Sequence, residues 1–312
     1  MEVYKKEKIE NVCIFGGTHG NELSGVYLVR NWLKDGALVQ RGSFSTHLVI
    51  ANPRAVDTCR RYIDRDLNRC YGKGTLGEST NEESPYETKR AQELHQKYLS
   101  GAPPDGTTAD FLIDLHNTSS AAGNCIIIPY NASPVVLQVC VELIQRLESL
   151  FVRVLVLTEQ GTVESTAGSC KNTIGVEIGP QHHGTLKAKV YDDMSLIVTT
   201  TLDILDQINK GELFPERQLE VYSIHRRYDY PRDEDGQLNG TLHPDFEEKD
   251  WQPLKNGDNI LRTLDGADIR LENETETVYP CFVGEAAYYE KGLAFWTTLK
   301  TILKVKKLPL DD

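Results

Sequence analysis

The chain has 312 residues, 39% hydrophobic and 26% charged, with a formal net charge of -12 at pH 7. That is the composition of a globular protein long enough for one large core or two ordinary ones, and its acidity argues against a nucleic-acid partner. No apolar stretch approaches the roughly 20 residues of a membrane span, and the charged start MEVYKKEK lacks a signal-peptide core, so the cytosol is the expected compartment.

The seven cysteines are scattered and contain no CxxC pair, which speaks against a disulfide framework and against a thiolate zinc site. An anionic small-molecule substrate would need a local cluster of arginines to overcome the global repulsion. Composition leaves homo-oligomerisation open.

In chain order, apolar runs at residues 12–15, 48–51, 111–115, 125–128, 152–157 and 174–178 read as strands. Several are continuously apolar, as expected of strands covered on both faces. Amphipathic helix patterns cover residues 23–34, 86–99, 135–148 and 188–208, the last closed by Asn209-Lys210-Gly211. The alternation predicts an α/β fold: a mainly parallel or mixed sheet flanked by helices. The polar stretches 72–84 and 100–108 read as surface loops.

After Gly211 turn signals separate short alternating runs, with strands expected at 277–283 and 294–305. The division expected is a first domain of residues 1–210 and a smaller, mainly β domain of residues 211–312.

The stretch FGGTHGNE follows the first apolar run and sets His19 and Glu22 three residues apart. An imidazole and a carboxylate delivered together at a strand end suit zinc, which needs one more protein ligand in a catalytic site. His116, closing the apolar run Ile113-Asp114-Leu115, is the candidate third ligand. Strand ends are where ligand sets meet on open α/β sheets. The plainer alternative is a turn followed by a carboxylate that favours a helix N-terminus. Asp114, two residues before His116, is placed to orient it or to be an ordinary buried acid. The glycines match neither GxGxxG nor GxxxxGK, and Glu22 would repel a phosphate, so a phosphate loop is disfavoured.

RRYIDRDLNR is arginine-dense in an acidic protein, and Arg61, Asn68 and Arg69 are the cluster an anionic substrate would need. A solvated loop is the competing reading. Glu177 lies inside the apolar run Ile174-Gly175-Val176-Glu177-Ile178, where burying a carboxylate is costly without a function such as general base. Tyr288 and Tyr289 read by pattern as packing residues.

Together FGGTHGNE, RRYIDRDLNR, DLHNTSS, GVEIGP and VGEAAYYEKG resemble the aspartoacylase/aminoacylase-3 family, zinc amidohydrolases of the carboxypeptidase-like superfamily. The resemblance implies one zinc held by His19, Glu22 and His116, with Glu177 as general base. It implies that Arg61 polarises the scissile carbonyl and that Asn68 and Arg69 hold the substrate's α-carboxylate. Tyr288 reaches the same pocket from a C-terminal domain covering the cleft, and Asp66 and Asn117 are supporting pocket residues. Small N-acyl amino acids are the implied substrates.

Aspartoacylases place an arginine about ten residues before the base, whereas residues 162–170 here contain none and Ala167 stands near that position. Losing that contact removes on the order of 1.5–3 kcal/mol of preference for an acidic side chain. The aminoacylase-3 branch, acting on N-acetyl aromatic amino acids and S-cysteine conjugates (mercapturates), shares the lack. An aspartoacylase using another cation, such as Lys171, is the rival within the class. A catalytically silent metabolite-binding protein is the rival outside it.

Overall fold

A computed structural model describes residues 8–100 and 108–309. The charged N-terminal stretch up to residue 7 and most of the expected 100–108 loop lie outside the described residues. Twelve strands follow in order: β1 (Asn11–Gly16), β2 (Ser45–Ile50), β3 (Phe111–Asn117), β4 (Asn124–Ile128), β5 (Arg153–Val156), β6 (Thr173–Ile178), β7 (Arg217–Tyr228), β8 (Gly240–Leu242), β9 (Asn259–Thr263), β10 (Asp268–Arg270), β11 (Tyr279–Cys281) and β12 (Phe295–Val305).

Nine of them form one mixed sheet in the order β11-β12-β7-β5-β4-β6-β3-β1-β2, and β10-β9-β8 make a smaller one. β2, β1, β3 and β6 run parallel, β4 is antiparallel to β6, and β12 is antiparallel to both β7 and β11. The late strands at 279–281 and 295–305 therefore extend the large sheet instead of closing a sheet of their own. Among the described residues no helix is long and apolar enough to cross a membrane.

The helices form where the apolar spacing places them. Leu23–Lys34 has the expected bounds, and Tyr86–Leu94 runs on into a wider turn at His95–Leu99. Pro134–Arg146 is capped by the Ser133 hydroxyl. Ala188–Lys210 buries Val190, Met194, Ile197, Val198, Thr201, Leu202 and Leu205 along one stripe and stops at Gly211 with φ 80°.

Period-two alternation decides which side of the sheet each residue serves. On β1, Val12 and Ile14 join the core under the long helices, while Cys13 and Phe15 join a second core on the other face. β3 sends Phe111, Ile113 and Leu115 to the first core, and β6 sends Ile174, Val176 and Ile178 there. The opposite face of β3 thus carries Leu112, Asp114 and His116, and that of β6 carries Thr173, Gly175 and Glu177. His116 and Glu177 are paired residues across the two strands. Polar groups gather on one face at the carboxyl ends because the apolar residues have gone to the other.

The C-terminal segment is tied down by Trp251, whose indole donates to the Ala122 carbonyl (2.8 Å) and packs on Tyr222. Asp250 beside it is buried, its Oδ1 accepting from the Val283 amide (3.3 Å) while Oδ2 finds no donor among the described residues. Burial pushes its carboxyl up to about 7. A carboxyl raised on folding contributes stability below its unfolded pKa and loses it as pH rises through the folded one. Asp250→Asn should therefore flatten the decline in urea-unfolding free energy between pH 5 and pH 8. It should raise stability at pH 8 by at most about 4 kcal/mol, the worth of a three-unit shift. An unchanged pH profile would show that Asp250 is not the group responsible.

Candidate metal centre

Glycines within and just after FGGTHGNE serve close packing. A Cβ on Gly25 would lie 2.6 Å from that of Leu115, and one on Gly16 would lie 2.4 Å from the Gly25 carbonyl oxygen. The helix Leu23–Lys34 consequently starts against β1 and β3, bringing Glu22 to the end of β3. Glu22 occupies the N-cap position, yet its side chain makes no capping bond. It faces the imidazoles instead.

His19, Glu22 and His116 are buried, and their ligand atoms lie within 4.8 Å of one another. His19 Nδ1 is 2.7 Å from Glu22 Oε1, His116 Nδ1 is 2.9 Å from Oε2, and the two Nδ1 atoms are 3.2 Å apart. Each far nitrogen meets a carboxylate: His19 Nε2 meets Asp66 Oδ1 and His116 Nε2 meets Asp114 Oδ2, both at 2.9 Å. In its neutral form, a ring that donates from Nε2 keeps its Nδ1 lone pair free, and two such lone pairs and a carboxylate then converge on one point. That donor set fits a borderline divalent cation with a coordination position left open.

Charge in this small volume is finely matched. Burial opposes the Glu22 carboxylate, but His19 and His116 hold it well below the usual range. Burial would also lower His116, but Asp114 and Glu22 raise it well above the imidazole range. Arg61 spans the site, with Nη1 donating to Glu22 Oε1 (3.1 Å) and Nε and Nη2 to Asp66 Oδ2 (3.3 and 3.2 Å). Glu177 behaves differently: burial first, then Glu22, push its carboxyl well above the ordinary value.

A cavity of about 360 Å³ opens beside the cluster, lined by His19, Arg61, Asn68, Arg69, His116, Glu177 and Tyr288. The remaining wall has an apolar part, with Ile127, Leu155, Leu157, Ile224, Phe282, Trp296 and Ala167, and a polar part that includes Thr158, Gln160, Glu164, Thr166, Thr173 and Arg227. Asp66, Asp114 and Asn117 do not line it. Asp66 and Asp114 orient the imidazoles. Asn117 donates its backbone N–H to Glu22 Oε2 (3.1 Å), while its side-chain oxygen accepts from Ser24 and Gln181. The structure thus places Asn117 as a support for Glu22.

Sequence reasoning missed Glu285, Lys291 and Arg227. Lys291 Nζ donates to Asp66 Oδ2 (2.6 Å), and Arg227 lines the cavity. The buried Glu285 carboxylate accepts from the Thr118 hydroxyl, from the Ser119 amide (2.7 Å) and hydroxyl (3.0 Å), and from the Ala287 amide (3.0 Å). His183 lies 3.3 Å from it. Burial opposes its charge, but bonds from His183 and Thr118 bring the carboxyl down to about 2. This clamp fastens the segment Ala286–Lys291, which carries Tyr288, onto the end of β3. Glu285 stands in VGEAAYYEKG, but an acid whose other donors, Thr118 and Ser119, are remote in sequence leaves no periodic signal.

Residues 8–205 match the succinylglutamate desuccinylase/aspartoacylase catalytic domain, and residues 217–300 match that family's barrel-sandwich hybrid domain. The chain belongs to the succinylglutamate desuccinylase/aspartoacylase family. It is 41% identical to the N-acyl-aromatic-L-amino acid amidohydrolase (carboxylate-forming) of Homo sapiens, covering 97% of this chain and 95% of that one. It is 40% identical to the aspartoacylase of Mus musculus, covering 97% and 96%. The crystal structure of murine aminoacylase 3 superposes with a TM-score of 0.92 at 38% identity, covering 97% of this chain and 99% of that one.

Truncating the clamp strands several buried donors, each costing about 1–3 kcal/mol when unpaired. Glu285→Ala should lower the unfolding free energy in urea by about 3 kcal/mol, and a loss under about 1 kcal/mol would show that the clamp carries little load.

Proposed function

We propose that this protein is a zinc-dependent deacylase that hydrolyses the amide bond of small N-acyl amino acids. Its preferred substrates in this reading are N-acetyl aromatic amino acids and S-cysteine conjugates. The observation that carries the reading is the converging His19, Glu22 and His116 donors beside a half-buried Glu177 with no ion pair among the described residues, at the head of a cavity whose wall is partly apolar.

Zinc, when bound, supplies Lewis acidity that polarises a carbonyl and acidifies water. His19, Glu22 and His116 would hold it. Glu177, raised by burial, takes the proton of the attacking water and returns it to the leaving amine nitrogen. Arg61 is fixed by Asp66 and Glu22 with N–H groups to spare, and it donates to the oxyanion as the carbonyl becomes tetrahedral. Asn68 and Arg69 bind the α-carboxylate. Tyr288, whose phenol burial keeps protonated, donates from the covering segment.

We assign residues 1–210 as the catalytic domain and residues 211–312 as the domain that covers the cleft, contributing Phe282, Tyr288 and Trp296 to the cavity. The seven unpaired cysteines are in keeping with a reducing compartment such as the cytosol.

The apolar wall and Ala167 favour an aromatic or thioether side chain over a carboxylate. Lys171, the cation that might have replaced the absent arginine, is exposed and does not line the cavity. In a side-by-side assay of zinc-quantified protein, kcat/KM for N-acetyl-L-tyrosine should exceed that for N-acetyl-L-aspartate. Ala167→Arg should shift the ratio toward aspartate by about 10- to 100-fold, the worth of one charge-assisted contact. A wild-type preference for aspartate would overturn the aromatic assignment.

Glu177→Gln should keep its zinc and lose at least about 100-fold in kcat, as expected for a lost general base. Near-normal turnover would remove Glu177 from this role. His116→Ala should lose both metal and activity, and full zinc loading of that variant would defeat the ligand assignment. Bound zinc and ligand affinity without hydrolysis in the wild type would favour the binding-protein alternative.

A further inference from the structure

The wall of the cavity that contains Ala167 does more than bound it. The segment is a short helix, Glu159–Glu164, capped by the Thr158 hydroxyl, followed by a turn at Thr166–Gly168. Thr166 is 3% exposed, and its side chain turns inward. Its hydroxyl lies 2.7 Å from Asp114 Oδ2 and 3.2 Å from Asn68 Oδ1, while its amide donates to the same Asn68 oxygen at 3.0 Å.

A hydroxyl has one proton, and here it has two acceptors. Asp114 is the nearer of the two, at 2.7 Å against 3.2 Å for the Asn68 oxygen. The proton therefore goes to Asp114. The other Asp114 oxygen accepts from the Thr18 hydroxyl at 2.6 Å, so two threonines from separate loops fix the carboxylate that receives His116 Nε2. On the other side the Thr166 amide can face only an acceptor. Asn68 must therefore present its oxygen to Thr166 and its NH2 away from it.

We propose that Thr166 is a positioning residue with two separate tasks: its hydroxyl sets the metal ligand His116 through Asp114, and its main-chain N–H sets the orientation of Asn68. The proposal rests on the metal-dependent deacylase reading for its kinetic consequences, but its metal arm stands without turnover. One candidate metal ligand is thereby steered from the pocket wall. Asn68 is turned so that two N–H donors are available to an anionic group.

The two tasks predict a split. Thr166→Val keeps shape and N–H but loses the hydroxyl. Zinc affinity, measured by competition with a chromophoric chelator, should fall by about 10- to 100-fold, the usual cost of removing an outer hydrogen-bond partner. KM of the zinc-saturated variant should change by less than about threefold, since the N–H that orients Asn68 remains. Thr166→Ser should restore zinc affinity to within about threefold of wild type. Asn68→Asp should show the reverse pattern, with zinc affinity kept and KM raised at least tenfold, because an oxygen replaces the NH2 that faces the carboxylate.

Wild-type zinc affinity in Thr166→Val, or failure of serine to restore it, would overturn the first task. An unchanged KM in Asn68→Asp would overturn the second. If the wild-type protein hydrolyses no N-acyl amino acid, the deacylase reading fails, while the chelator titrations still decide the Thr166–Asp114–His116 link.

Discussion

The burial of one carboxylate organises the centre of this molecule. Glu22 is 2% exposed, and a charge stripped of water must be matched locally or neutralised. Its two oxygens meet His19 from the loop after β1, His116 and the Asn117 amide from the end of β3, and Arg61 from the loop after β2. Three segments distant in sequence are thus held by one side chain, and none can move without leaving charge unpaired. The glycines at 16 and 25 are the steric condition for this, since only a helix start in direct contact with β3 brings Glu22 that close.

Around Glu22 the acids divide into two kinds. Asp66, Asp114 and Glu285 each receive several donors, which hold them ionised as scaffolding. Glu177 faces the same cavity without such partners, and burial and the neighbouring Glu22 raise it. Carboxyl groups driven apart in this way mark a division between those that hold and one that can exchange a proton. A cation in the triad would offset the Glu22 charge and lower the Glu177 carboxyl back toward the ordinary carboxylate range, readying it to accept a proton.

Much of this was legible in the sequence because it follows from alternation. The runs around Ile14, Ile113 and Ile174 are apolar on both faces until their last residues, and the polar exceptions Asp114, His116 and Glu177 are the residues that meet at the site. β7 was not legible. Its residues Arg217–Tyr228 carry charge at Arg217, Glu220, Arg226 and Arg227, and only pairing with β5 and β12 makes a strand of them. The register of Glu285 against Thr118, 167 residues apart, depends on how the sheet is completed and not on any local pattern. The motif around Asn117 marks it as a supporting pocket residue, and its side-chain oxygen accepts from Ser24 and Gln181, contacts no local pattern announces.

Near-equal identity to relatives with different names means that overall similarity does not choose the substrate; the wall of the cavity must. The short segment at 159–168 supplies part of that wall and also the hydroxyl that steadies Asp114. A substitution there is therefore not a free adjustment of the pocket, because a backbone shift that admits a larger group at Ala167 also moves Thr166 against Asp114, the partner of His116. In the deacylase reading, specificity and metal retention would be coupled through two adjacent residues. The apolar part of the wall, at Ile127, Leu155 and Trp296, belongs to the main sheet and carries no such link. Changes in apolar side-chain preference can accumulate there at little cost to the centre, whereas a change toward acidic substrates has to pass through the segment that holds it.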